Sequence, residues 1–143
     1  MINARAESVA DKPAFRESFR KRRCLIPADG FYEWQVEKRR GKQPYYIRRA
    51  DQQVMAFAGI WDRWASDDGE EILSCAIITT DAGPTVGAIH HRMPVILDPA
   101  DFTAWLDSAS SPEQVQTMLH APPAGTLAVY PVDKRMNLSL IHI

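Results

Sequence analysis

Apolar residues along this chain fall in short runs of five to eight positions, separated by polar or turn-forming segments, a pattern of strands more than of long helices. Tyr45-Tyr46-Ile47 and Val54-Met55-Ala56-Phe57-Ala58-Gly59-Ile60-Trp61 predict two strands joined through Asp51-Gln52-Gln53. The near-continuous run Ile72-Leu73-Ser74-Cys75-Ala76-Ile77-Ile78-Thr79 suits a central strand. Leu127 to Val132 reads as a late strand. Cys24 to Trp34 is a further apolar segment, and Asp29-Gly30 within it predicts a turn or bulge between two extended pieces. Val36 to Gln43 is polar and basic and reads as an exposed hairpin loop, whereas Ser66 to Glu71 forms an acidic one.

Helices enter at three places. Asp11-Lys12-Pro13 predicts a helix start, with Asp11 as cap and Phe15 and Phe19 sharing one face. Asp98-Pro99 opens a second helix through Phe102, Trp105 and Leu106, and Ser111-Pro112 a third through Val115, Met118 and Leu119. The expected fold class is α+β: a mainly-β single domain with short peripheral helices.

At 143 residues with 45% apolar positions, the chain fits one domain with a real core and is not a disordered one. No apolar stretch is long enough to span a bilayer, and Met1-Ile2-Asn3-Ala4-Arg5 does not read as a secretory signal. Two cysteines, Cys24 and Cys75, are too few for a disulfide scaffold, so a reducing, cytoplasmic setting is expected, with both as small core residues. The net charge of −1 conceals a division: residues 1–49 carry a balance of +7 and residues 50–143 one of −8. Phosphate attraction is set locally, so the basic half can suit a polyanion despite the near-neutral total, although such a charge run taken alone more often marks a solvated face.

Three segments carry candidate chemistry. Glu33 lies between Tyr32 and Trp34. A carboxylate beside aromatic rings and partly removed from water is suited to general acid–base work, while simple strand alternation would turn it outward. Ala88-Ile89-His90-His91-Arg92-Met93-Pro94 places histidines in a loop marked by Gly83, Pro84 and Gly87. Histidine is the commonest proton-transfer side chain, and surface solvation is the bland alternative. Zinc is disfavoured, because neighbouring histidines do not readily converge on one ion and no further ligand spacing completes a set. Asn3, Arg5 and Glu7 alternate and would share one face of an extended segment. A guanidinium there suits phosphate or carboxylate, unless the terminus is simply mobile.

Taken in order, these segments resemble the SRAP family, the SOS-response-associated peptidases or abasic-site processing proteins. Asn3-Ala4-Arg5-Ala6-Glu7 and Arg23-Cys24-Leu25-Ile26-Pro27-Ala28-Asp29-Gly30-Phe31-Tyr32-Glu33-Trp34 open the resemblance. Lys42-Gln43-Pro44-Tyr45-Tyr46, Ala58-Gly59-Ile60-Trp61, Ile78-Thr79-Thr80 and Ile89-His90-His91-Arg92-Met93-Pro94 continue it in order. The likeness implies binding of single-stranded DNA at abasic sites within the SOS or DNA-damage response. It implies a covalent thiazolidine crosslink between an N-terminal cysteine and the ring-opened sugar, and an associated autoproteolytic peptidase activity. Carried over residue by residue, Asn3 is expected to contact the abasic sugar, Glu33 and His90 to be catalytic, and Arg5 and Arg92 to bind DNA phosphates. No cofactor, metal or membrane is implied, and a monomer is expected, cytoplasmic and nucleoid-associated when on DNA.

The chain also departs from that pattern. Met1-Ile2 supplies no cysteine at the second position, and Cys24 and Cys75 are internal. Residues 1–137 are therefore expected to form an SRAP domain incomplete at its N-terminus, unable to crosslink, with residues 138–143 an unmatched tail. The competing expectation is a non-catalytic single-stranded DNA-binding module. A third is a fragment that does not fold stably alone, its missing strands leaving apolar surface and open sheet edges.

Overall fold

Strand alternation in β6 (Glu71–Asp81) sets the layering of the molecule. Ala76 and Ile78 point to one side and join a core with Phe19, Trp105, Val115 and Leu119, while Ile77 points to the other and joins Phe31, Ile47 and Phe57. The computed structural model describes residues 2–37 and 41–135. In it, short helices cover one face of a five-stranded sheet and a three-stranded sheet covers the other.

The larger sheet runs in the order β1 (Ile2–Arg5), β6, β5 (Met55–Ala65), β2 (Arg23–Ala28). β1 lies parallel to β6 with Asn3 opposite Ile77, and the other two pairings are antiparallel. β7 (Arg92–Pro94) also pairs with β6, Thr79 opposite Pro94. The residues after it are gripped from both sides: Val95 N–H donates to the Ile78 carbonyl and Ala58 N–H donates to that of Val95. The smaller sheet has the order β3 (Phe31–Glu37), β4 (Gly41–Arg49), β8 (Leu127–Pro131), all antiparallel. This mixed α+β architecture is the expected class, and the apolar run at 72–79 does lie in the middle of its sheet.

Asp29 and Gly30 form the crossing between the two sheets, the turn expected there. A Cβ on Gly30 would come within 2.5 Å of the Tyr46 ring and 2.6 Å of the Ile47 carbonyl oxygen. The backbone oxygen cannot yield cheaply, so Gly30→Ala is expected to destabilise the chain by about 1–3 kcal/mol, read as a lower urea midpoint with unchanged slope.

The helices are shorter than the periodicity suggests. Residues 8–15 wind through successive turns, and α1 spans only Arg16–Lys21, with Phe15 at its N-cap and no side-chain cap from Asp11. The reason is local: turns hydrogen-bonded from Arg5 and Ser8 bury Val9 completely before a helix can start. The proline-led starts at 98 and 111 hold. Asp98 Oδ1 caps the turn leading into α3 (Phe102–Leu106), and Ser111 Oγ accepts from Gln114 N–H at the head of α4 (Pro112–Gln116). Numbered in chain order, α2 is Pro84–Gly87, a helical turn where the glycines and proline predict loop. The expected hairpin loop at 36–43 is tighter than expected, because β3 runs on to Glu37 and β4 starts at Gly41. The tail at 138–143 lies outside the described residues. Among the described residues, no helix is long and apolar enough to cross a membrane.

Candidate active site

Four strands and one loop meet where the two sheets part. β1 brings Asn3, β3 brings Glu33, β6 brings Thr79, and the α2–β7 loop with β7 brings His90, Arg92, Met93 and Pro94. Together they line one cleft of about 70 Å³. Strand alternation accounts for Glu33: Phe31, two positions earlier on the same face, fills the core between the sheets, so Glu33 also points between them but at the margin. It is half-buried, with the Trp34 N–H donating to its Oε1 at 3.2 Å. The outcome at this position is half-burial at the margin of the cleft, with neither full exposure nor enclosure among aromatic rings.

His90 is half-buried and fixed by the backbone of Arg92. The Arg92 N–H lies 3.2 Å from Nδ1 and the Arg92 carbonyl oxygen 3.0 Å from the same atom. One peptide donor serves an unprotonated Nδ1 and one carbonyl serves a protonated one. The ring can therefore gain or lose a proton at that nitrogen without turning. His91 stacks on His90 with ring centres 4.6 Å apart and faces solvent. The loop is tied to β3 by Gln35, whose Nε2 donates to the Ala88 carbonyl at 2.8 Å while its Oε1 accepts from Tyr45 Oη at 3.3 Å. That link sets the spacing between the strand carrying Glu33 and the loop carrying His90.

Arg92 is the best-anchored charge in the cleft, its side chain only 10% exposed. Nη1 donates to Glu7 Oε1 at 3.1 Å and Asp81 Oδ1 at 3.0 Å. Nη2 donates to the Thr79 carbonyl and hydroxyl at 3.0 and 3.1 Å, and pairs with Glu7 Oε2 at 3.0 Å. Burial opposes its charge, but the two carboxylates outweigh it and hold the guanidinium above its ordinary pKa. Arg5 stands at the end of β1, exposed, with Nε 3.5 Å from Glu7 Oε2. Asn3 and Arg5 share a face of β1 as expected, and Glu7 reaches the same cluster from the turn beyond the strand.

Thr79, Gln35 and Asp81 were not singled out by sequence reasoning. Their roles come from partners between 10 and 53 positions away, and no local pattern signals them. Cys24 and Cys75 are half-buried, not fully buried, and lie away from the cleft lining. Burial first, then the neighbouring Cys75, pushes the Cys24 thiol above its usual pKa, which disfavours a nucleophilic thiolate. Among the described residues no cluster of three or more His, Cys, Asp or Glu could hold a metal ion. A larger hollow of about 220 Å³ lies beside Arg49 and His120. There, Arg49 is already paired with Asp51 and Asp98 is engaged as a cap, so it offers less free chemistry.

With this geometry in view, comparison with known proteins is specific. The family model described as SOS response associated peptidase (SRAP) matches residues 1–139. The abasic site processing protein YoqW of Bacillus subtilis is 38% identical over 138 residues, covering 96% of this chain and 62% of its own length. The abasic site processing protein HMCES of Gallus gallus is 35% identical, covering 94% of this chain and 46% of its own. A crystal structure of a protein from Bacteroides thetaiotaomicron superposes with a TM-score of 0.91 at 35% identity, covering 96% of this chain and 61% of that one. The chain thus spans less than two thirds of the length of these relatives.

Proposed function

The chain belongs to the SRAP family, and from that membership and its cleft we propose that it acts on abasic sites in single-stranded DNA. The observation that carries this proposal is the convergence of Asn3, Glu33 and His90, from β1, β3 and the α2–β7 loop, on one small cleft. An abasic sugar is small enough for such a space and reacts through its ring-opened aldehyde. Opening requires a proton on the ring oxygen, and in this reading Glu33 gives it. His90 then moves protons, supported in both states of Nδ1 by the peptide groups of Arg92. The Asn3 amide orients the sugar hydroxyls. Arg5 and Arg92 draw in the flanking phosphates, giving salt-dependent, sequence-tolerant affinity.

Two fates follow for the opened aldehyde. One is β-elimination, in which a proton leaves C2′ and the 3′ phosphate leaves C3′, cutting the strand. The other is the thiazolidine crosslink that family membership suggests, which needs a cysteine with a free amine as well as a thiol. Cys24 and Cys75 have their amines in peptide bonds. Incubated with an oligonucleotide carrying one abasic site, the 143-residue chain is therefore expected to accelerate strand scission and to leave no denaturation-resistant band. A robust covalent band would overturn the nucleophile argument. Salt-dependent binding with no acceleration would favour a non-catalytic single-strand binding module.

A further inference from the structure

Glu7 is the one acidic side chain of this cluster that touches both arginines assigned to phosphate binding, and it has no part in the proposed proton transfers. Its Oε2 lies 3.0 Å from Arg92 Nη2 and 3.5 Å from Arg5 Nε, and its Oε1 lies 3.1 Å from Arg92 Nη1. Two guanidinium groups from different elements, β1 and β7, thus converge on one carboxylate. A carboxylate and a phosphodiester each carry one negative charge and present two oxygens with a similar bite, so a seat built for one fits the other.

Resting on the nucleic-acid reading above, we propose that Glu7 occupies the seat of a DNA phosphate in the free protein and is displaced from it on binding. The burial pattern makes the exchange possible. Half of the Glu7 side chain is exposed, so it can swing into water, whereas Arg92 is 10% exposed and stays held by the Thr79 carbonyl and hydroxyl. When Glu7 leaves, the edge of Arg92 that it covered opens toward Arg5. Asp81 does not play the same part: it pairs with Arg92 Nη1 from an 87% exposed position and has no contact with Arg5. Glu7 therefore keeps two cations convergent, preventing their mutual repulsion from splaying them apart, and lowers affinity for any anion that cannot replace it.

Exchange makes a prediction that a purely supporting role does not. Binding of a fluorescein-labelled, lesion-free oligo-dT to the chain is followed by anisotropy across a salt series, for wild type, Glu7→Gln and Glu17→Gln. Glu17 is an exposed acid on α1, paired with Lys21, and controls for loss of one negative charge. Glu7→Gln is expected to bind about three- to tenfold tighter at low salt, with a log–log salt slope steeper by about 0.7, the increment for one more phosphate contact. Glu17→Gln should stay within about twofold of wild type. Weaker binding by Glu7→Gln, or tightening no greater than that of Glu17→Gln, overturns the exchange.

The arginine side-chain Nε–H signals, titrated with inorganic phosphate, separate this from failure of the nucleic-acid reading. Shifts at Arg5 and Arg92 in Glu7→Gln at concentrations that leave wild type unmoved support the seat even if no oligonucleotide binds. Equal responses in the two proteins overturn it. Glu7→Asp, which keeps the charge but draws it back by one methylene, provides a second variant should Glu7→Gln fold poorly, with a smaller gain in the same direction expected.

Discussion

Glu33→Gln is expected to slow strand scission at an abasic site by about 10²-fold or more while leaving affinity for lesion-free single strand within about twofold. The amide keeps the shape of the side chain, and the Trp34 N–H can still find an oxygen at the same place. What it removes is the proton donor of the proposed mechanism. Sugar ring opening has little driving force unless the departing oxygen is protonated, and an amide cannot give up a proton near neutrality. Binding, on the same proposal, rests on Arg5 and Arg92, which Glu33 does not touch in the contacts that hold them. Single-turnover scission with the oligonucleotide saturated separates the two quantities. A rate unchanged in Glu33→Gln, with binding intact, would remove the carboxylate from the mechanism and leave His90 as the group to examine.

Trp105→Ala is expected to cost about 3–5 kcal/mol, lowering the melting temperature by about 10 °C or more. Trp105 is completely buried on the helix-covered face of the larger sheet. Its Nε1 donates to the Cys24 carbonyl at 2.8 Å, and its ring meets Phe19 edge-on with centres 6.1 Å apart. Arg23 completes the assembly. Its guanidinium lies 5.6 Å from the Trp105 ring centre. It donates to the carbonyls of Trp105, Phe19, Arg20 and Asp107 at 2.6–3.0 Å. Truncation leaves a cavity, an unpaired carbonyl on β2 and a buried cation without its ring. Because this cluster lies across the sheet from the cleft, scission well below the melting point should be nearly unchanged, which calorimetry and a rate measured at low temperature would check.

Much of the framework was legible because it is governed by periodicity and local chemistry. The apolar run around Ile77 announced a central strand, and Asp98 and Ser111 announced helix starts through caps that need only the next two or three residues. Asp29-Gly30 announced a turn, though not that it carries the chain from one sheet to the other. Legibility failed where an outcome depended on burial that the sequence pattern does not show. The expected helix from Asp11 gave way to turns that bury Val9, and the glycine-marked stretch at 83–87 closed into α2, whose Val86 is buried in the core between the sheets.

The site divides along the same line. The candidate residues, Asn3, Glu33, His90, Arg5 and Arg92, were legible in the sequence, since their types and order carry the likeness to the family. Their assembly was decided by tertiary structure. Parallel pairing of β1 with β6 brings Asn3 to the cleft, Gln35 ties the His90 loop to β3, and Arg92 turns inward to Glu7, Asp81 and Thr79 instead of standing free. Side-chain chemistry is local and can be read along a chain. Which groups satisfy a buried charge is a competition among every neighbour the fold supplies, and only packing in three dimensions resolves it.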